Sequence, residues 1–521
     1  MAIAEENLRA RFGAEAQDHY TFVIAGDGCM MEGISHEAAS LAGHLGLGKL
    51  ICVFDDNLIT IDGPTSMSTG DDTALRFRAY GWDVVDLGEM ADDLDGLEAA
   101  LEAAKAQTDK PSLLMLRSHI AEPSPDHTDA HEAHGNPFTI DDVTRTKEVM
   151  GIPDEPFWAP DDLVAAYRVR VGERGAMARS AWAEASAAVT STPQWQAAWA
   201  AGGTDGWDGD LPTYELGESV ATRKSIQKAL DATYDRLPGL LSGSADLTGS
   251  NGTGLARTTA FTADDRSGRY IHYGIREHAM GAALVGMALH GGTLPISGTF
   301  FVFSDYMRPS IRLAALSGAK ACFVFTHDSV GVGEDGPTHQ PVEHLAALRA
   351  IPDLHVVRPA DGNETIQAWA DIVRHDGPSA LILSRQNIKV VTDGSAVARG
   401  AGIVSDSEGA PDVVLVATGS EVEVCVDAAV RLRAAGRNVR VVSLPSWDRF
   451  AAQDETYRDS IMPAGVPTLS VEAATTFGWE RWSDDSIGID RFGASAPGEL
   501  VLERLGINVD HVVERANALL G

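Results

Sequence analysis

Between Thr21 and Ser118 short apolar runs alternate with amphipathic ones: "TFVIA", "EGISHEAASLAGHL", "LICVFDD", "TALRFRAYG", "WDVVDL", "DLDGLEAALEAAKA" and "PSLLMLRS". Short β-rich runs separated by stretches of helical periodicity predict βαβ units on a parallel sheet. A Trp- and Ala-rich stretch from Leu163 to Trp199 predicts helix, and the "AGGTDGWDGDLP" that follows reads as a linker. A second alternating block runs from Val220 to Arg385, with strands such as "ACFVFTHD" and "SALILSR" and the helix "REHAMGAALVGMALHG". After "VARGAGIVSDSEGAPD" a third block gives strand, helix and strand in "VVLVATGSEVEVCVDAAVRLRAAGRNVRVVSL". The predicted fold class is α/β, with three doubly wound domains in series over 1–200, 214–390 and 400–521.

A length of 521 residues agrees with that division at the usual ~150 residues per domain. No apolar run reaches the ~18 residues of a membrane span, and "MAIAEENLRARF" lacks the apolar core of a signal peptide, so a cytoplasmic protein is expected. The four cysteines, Cys29, Cys52, Cys322 and Cys425, form no CxxC pair and read as small buried hydrophobes. A net charge of −34 opposes binding of nucleic acid, and any small phosphate must be held by local basic residues against the overall field.

The chemistry begins at "GDG". A strand that ends there puts Asp27 at the carboxyl edge of a parallel sheet, where open α/β folds bind ligands, and Gly26 and Gly28 let a ligand approach the backbone. Asn57 lies at the end of the next strand, 30 residues after Asp27. One carboxylate and one amide oxygen suit a hard divalent cation that holds phosphates, and a helix starting near Glu32 would aim its N-terminal amides at the same place. A glycine-flanked Asp also suits a turn; the pairing with Asn57 favours the ligand.

This stretch resembles the diphosphate-binding motif of thiamine-diphosphate enzymes. "YGIREHAM", "GTFFVFSDYMRPSIRLAALSG", "THDSVGVGEDGPTHQPVEHLAALR", "RPADGNE" and "LSRQN" follow in order, with "FGASAPGELV" in the third block, and together they resemble transketolase from Met1 to the C-terminus. The resemblance implies thiamine diphosphate, whose thiazolium C2 supplies a stabilised carbanion, and a divalent cation, Mg²⁺ or Ca²⁺ or Mn²⁺. It implies that Asp27, Asn57 and Ile59 hold the cation, and that Gly26, Gly28, Glu32, Asp246 and Leu247 contact the cofactor. Phe300, Phe303 and Tyr306 would wall its pyrimidine, although rings at such spacing equally form core. Glu277 would activate the cofactor, whereas a Glu at a helix start is otherwise a solvated residue.

Arg223, Ser250, His327 and Arg385 would bind the sugar phosphate, Asp335 and His339 its hydroxyls, and His134 and His339 would act near the reacting carbon. Asp246 also suits a helix cap, and "HTDAHEAHG" also invites a zinc reading. The implied reaction is ketol transfer from a ketose phosphate to an aldose phosphate in the pentose phosphate pathway, by a homodimer whose active sites lie between subunits. Dihydroxyacetone synthase is a neighbour differing mainly in acceptor; 1-deoxyxylulose-5-phosphate synthase fits "GVGEDGPTHQP" less well.

Two departures stand against the resemblance. Family members carry a substantial segment before the equivalent of "MAIAE", with histidines that contact cofactor and donor. The loop "RSHIAEPSPDHTDAHEAHG" also replaces a Gly- and Tyr-containing one. The first leads to an expectation of exposed apolar surface on the first sheet, and of weak cofactor binding and slow turnover by this chain alone. A catalytically impaired paralogue, or one component of a two-chain enzyme with a separate N-terminal polypeptide, are the corresponding alternatives.

Overall fold

The apolar runs of the first block form four parallel strands, β1 (Thr21–Gly26), β2 (Leu50–Asp56), β3 (Asp83–Gly88) and β4 (Ser112–Arg117), ordered β1-β2-β4-β3. The computed structural model describes Met1–Gly521 and divides into two units, Met1–Thr192 with Thr262–Ser267, and Pro193–Phe261 with Gly268–Gly521.

In the first unit the central strands β2 and β4 bury Ile51, Leu113 and Leu114, as continuous apolar runs do in a parallel sheet covered by helices. The helices Thr73–Ala79 and Leu94–Ala106 start where Asp72 and Asp93 accept hydrogen bonds from the amides of Leu75 and Gly96, at 2.8 and 2.9 Å. The segment Thr262–Ser267 belongs to this unit because Arg266 donates to the carbonyls of Leu45 and Gly46 and pairs with Glu6 at 2.7 Å. Strand β1 is an edge, and its Phe22, Val23 and Ile24 are exposed, Ile24 at 81%. An apolar edge of this kind is open to pairing.

The helix expected over Leu163–Trp199 is two helices, Asp161–Thr190 and Pro193–Trp199. Pro193 cannot donate to the preceding turn and starts a new helix instead.

The second unit carries two large sheets, besides a two-stranded pairing of Ser219–Val220 with Ile388–Lys389. One is all parallel: β5 (Leu240–Ser244), β6 (Tyr270–His272), β7 (Leu294–Phe300), β8 (Cys322–Thr326), β9 (His355–Val357) and β10 (Ser379–Leu383), ordered β9-β10-β8-β7-β5-β6. The other comprises β11 (Gly402–Ser405), β12 (Val413–Ala417), β13 (Val439–Ser443), β14 (Thr468–Val471) and β15 (Asp485–Ile487), ordered β11-β13-β12-β14-β15, with only β11 antiparallel.

Buried charge joins these two sheets into one unit. Arg358, just after β9, pairs with Asp328 at 2.8 Å and with Glu421, and its Nη1 donates to the Thr418 carbonyl at 3.2 Å. Glu472 takes two hydrogen bonds from Arg349, at 2.9 and 2.8 Å, and one from the Trp479 indole at 2.9 Å. Each ion is held by several partners, so removing one would leave an uncompensated buried charge.

No helix is long and apolar enough to cross a membrane. Cys52, Cys322 and Cys425 are buried as the sequence implied, and burial pushes the Cys52 thiol up to about 12. Cys29 is the exception. It is exposed, because the chain after β1 turns into a short helix that faces it outward.

Candidate active site

The predicted residues fall into two groups, one in each unit. In the first, β1 and β2 are neighbours in parallel register, with Gly26 opposite Asp55, so Asp27 and Asn57 both follow carboxyl ends of adjacent strands. Asp27 is not on the strand end itself but begins a helix, Asp27–Met31, and Glu32 is the N-cap of the next, Gly33–His44. The helix expected from Glu32 is therefore preceded by an extra turn that the sequence pattern did not reveal. Asp27 Oδ2 accepts the Leu58 amide at 3.2 Å, and Asn57 Oδ1 accepts the Ile59 amide at 3.0 Å. Leu58 between them has φ of 62°, a left-handed conformation uncommon for a branched residue and typical of sites whose surroundings enforce it.

Burial pushes the Asp27 carboxyl up, and the charge of Asp56 adds to it. Burial also raises Asp56, against the pull of Arg117 at 2.7 Å. Two partly buried acids beside an amide oxygen make a donor set of hard oxygens, which fits a divalent cation that would offset their repulsion. A Cβ added at Gly28 would meet nothing within 4 Å, so the backbone there is open to an approaching ligand. The cleft beside it, about 660 Å³, is lined by Asp27, Asp56, Leu58, His36, Arg76 and Arg117 among others. Asp56 escaped the sequence reading. Its only signal was the second acid of "FDDN", which a strand-end pattern does not separate from a solvated charge.

His134 ends an exposed turn, His131–His134. His127 faces Asp142 at 3.2 Å and His131 faces Glu132 at 3.2 Å. None of the loop's histidines belongs to a cluster of three metal-ligating groups, so the geometry gives the zinc reading no support.

In the second unit Glu277 is the first residue of the helix Glu277–His290 and only 8% exposed, so the solvated alternative does not hold. That helix lies against Ser304–Ser317 so closely that a Cβ at Gly281 would stand 2.9 Å from Met307. The chain from Phe300 to Tyr306 divides its rings between two duties. Phe301, 1% exposed, enters the core, while Phe300 and Phe303 are half-buried and Tyr306 is 65% exposed.

Those three rings stand in a row, with centroids 5.9 Å apart from Phe300 to Phe303 and 5.9 Å from Phe303 to Tyr306. The structure brings His327 and His339 to the same row. The His327 ring lies 3.8 Å from Phe300, and the His339 ring 5.4 Å from Phe303. His327 follows β8 with φ of 63° and shares a 2.9 Å hydrogen bond with Thr326, which donates to buried Asn251 at 2.8 Å.

Arg223 donates to the Ser250 carbonyl at 2.9 Å and to the Arg385 carbonyl at 3.4 Å, and Arg385 donates to the Val332 carbonyl at 3.4 Å. Neither guanidinium pairs with a carboxylate, although acids outnumber bases 75 to 41 in the chain. Burial and the charge of Arg385 disfavour the charge on Arg223. Two unneutralised arginines side by side suit a dianionic ligand. Asp246 has φ of 61° and is exposed; the helix Thr248–Asn251 takes Leu247 as its N-cap without a side-chain bond, so the capping role suggested for Asp246 is absent. Asp335 is exposed and faces no cation.

Burial, then Arg223, Arg385 and His339, push His327 down to about 3. Its ring is therefore expected to stay neutral, showing no titration of its imidazole NMR shifts between pH 5 and 8. As pH falls below the ordinary ~6.5 of an unfolded histidine, the unfolded chain takes a proton that folded His327 refuses, so this residue lowers stability on acidification. A titration with a midpoint near 6.5 would contradict the assignment.

Comparison with known proteins gives three family matches along the chain. They are the transketolase thiamine diphosphate binding domain over residues 1–205, the transketolase pyrimidine binding domain over 218–391 and the transketolase-like C-terminal domain over 400–508. A transketolase from a Nostoc species is 46% identical over all of this chain and 80% of its own length. The structure of transketolase from Leishmania mexicana matches with a TM-score of 0.95 and 41% identity, over 100% of this chain and 79% of that one. A transketolase mutant from Pichia stipitis in complex with xylulose 5-phosphate matches with a TM-score of 0.96 and 39% identity, over 100% and 79%.

Proposed function

The chain belongs to the transketolase family, enzymes that transfer ketol groups, and we propose that it moves a two-carbon ketol unit from a ketose phosphate to an aldose phosphate. The observation that carries the phosphate part of this reading is the Arg223 and Arg385 pair, without carboxylate partners in a strongly acidic chain. The relative from Pichia stipitis that binds xylulose 5-phosphate makes that sugar phosphate the donor to test.

Bound thiamine diphosphate would supply a nucleophilic carbon able to accept and release the two-carbon unit. The chain's own residues would do the rest. Asp27 and Asn57, with Ile59 on the same loop, would hold a divalent cation against the diphosphate, and Gly26, Gly28 and Glu32 would line its approach. Phe300, Phe303 and Tyr306 would offer one face of the pyrimidine an apolar stack, and Asp246 and Leu247 would flank it. Glu277, buried at a helix start, would hold a proton at the pyrimidine.

His327, kept neutral, would present a ring nitrogen to the sugar without adding charge. His339 and Asp335 would bind hydroxyls, and His134 would act near the reacting carbon. The family resemblance implies a homodimer whose subunits complete each other's sites. The three family matches support reading the chain as diphosphate-binding, pyrimidine-binding and C-terminal domains over 1–200, 214–390 and 400–521.

The test is a coupled assay with xylulose 5-phosphate and ribose 5-phosphate, with thiamine diphosphate and Mg²⁺ present. Arg385→Ala is expected to raise KM for both sugar phosphates ~10- to 100-fold, the range for losing a hydrogen bond to a charged group. Unphosphorylated erythrulose should lose far less, and an equal loss with both donors would refute a phosphate role for Arg385.

A further inference from the structure

Away from the residues assigned above, Asp305, Glu343 and His344 offer ligand atoms that all lie within 4.8 Å of one another. Asp305 sits on the first turn of the helix Ser304–Ser317; Glu343 and His344 form the N-cap and first residue of the helix His344–Arg349. The two acids are exposed, but the histidine is 4% exposed, and neither of its buried ring nitrogens makes a hydrogen bond. A buried imidazole with no hydrogen bond, aimed at two carboxylates, is a costly arrangement unless something else occupies the space between them.

The distances fit a bound ion better than a direct hydrogen bond. Asp305 Oδ2 lies 3.3 Å from His344 Nε2, and Glu343 Oε2 lies 3.8 Å from Nδ1. A direct charge-assisted hydrogen bond would be about 2.7–2.9 Å. Two ligands each about 2.1 Å from a tetrahedral ion stand about 3.4 Å apart, which matches the closer pair. We propose that Asp305, Glu343 and His344 bind a divalent cation of the Zn²⁺ or Co²⁺ type, with His344 Nε2 and Asp305 as direct ligands, Glu343 as the third once its side chain turns from the Nδ1 side toward the ion, and water completing the shell.

The imidazole selects borderline transition metals over Mg²⁺ and Ca²⁺, which prefer all-oxygen sets such as the one at Asp27. Both carboxylates lie at helix starts, where the partial positive charge of about +0.5 opposes a cation, but two full negative charges outweigh it. The scaffold is rigid enough to hold the ligands. Arg308, one turn along from Asp305, donates to the Ala347 carbonyl of the second helix at 3.2 Å, and the Phe301 ring backs His344 at 5.6 Å. The ion would tie the start of the helix that bears Tyr306 to the segment that bears His339, five residues before His344.

The experiment titrates the metal-free full chain with Co²⁺ in excess Mg²⁺, which occupies oxygen-only sites, and reads the visible absorption of four-coordinate Co²⁺. Saturation at one equivalent is expected, with displacement by Zn²⁺. Binding should weaken at least ~10-fold in His344→Gln and in Asp305→Asn, no less than the low end of the range for losing an outer-shell partner. Asp305→Asn changes an exposed residue and decides the matter if His344→Gln does not fold by circular dichroism. No saturable Co²⁺ band below millimolar concentration, or equal binding by Asp305→Asn, would overturn the proposal and leave an ion pair alone.

Discussion

Glu277→Gln is expected to slow exchange of the bound cofactor's C2 proton by at least ~100-fold, the lower range for a positioned acid–base group. Gln keeps the length and volume of the side chain, so the packing of the helix Glu277–His290 against Ser304–Ser317 is preserved. What it loses is the capacity to carry a proton at a position only 8% exposed, where no bulk water substitutes. Cofactor affinity should change much less than exchange, because the aromatic row and the residues around Asp27 and Asn57 are untouched. Deuterium exchange followed by NMR separates the two, and an unchanged exchange rate would remove Glu277 from the mechanism.

Asp27→Ala is expected to weaken metal-dependent thiamine diphosphate binding by at least ~100-fold, above the 10–100-fold typical of losing a mere outer-shell partner. Asp27 must be ionised to hold a cation, and burial with the charge of Asp56 raises its carboxyl, so affinity should fall as pH drops through that raised value. The same shift gives the opposite sign for the metal-free fold. A carboxyl raised on folding contributes stability that is present below its unfolded pKa and lost as pH rises through its folded one. Asp27→Asn should therefore raise the Tm of the metal-free protein at pH 7, with a gain that shrinks toward acid pH. Calorimetry with thiamine diphosphate and Mg²⁺ checks the first effect and thermal melts the second; a variant that binds the cofactor as tightly as the parent would discard the assignment.

By itself the sequence determined the α/β class and the positions of most strands, because a parallel strand buried on both faces must be a continuous apolar run. It also carried the family, because "GDG" with Asn57, "YGIREHAM" and "GEDGPTHQP" are fixed by chemistry local to each segment. Three kinds of feature belonged to the tertiary structure alone. Which ring of "TFFVF" enters the core and which faces outward depends on where strand β7 passes into the next helix, so Phe301 and Phe300 look alike in sequence and differ in burial. The perturbation of Asp27 by Asp56, and of His327 by Arg223 and Arg385, arises from desolvation and fields between residues that only folding brings together. The pairing of Asp305 with His344 likewise joins two helix starts separated in the chain, and the buried charges around Arg358 fuse two predicted domains into one unit. Periodicity reports what each segment does with its own faces, while charge, burial and ligand geometry depend on which segments meet.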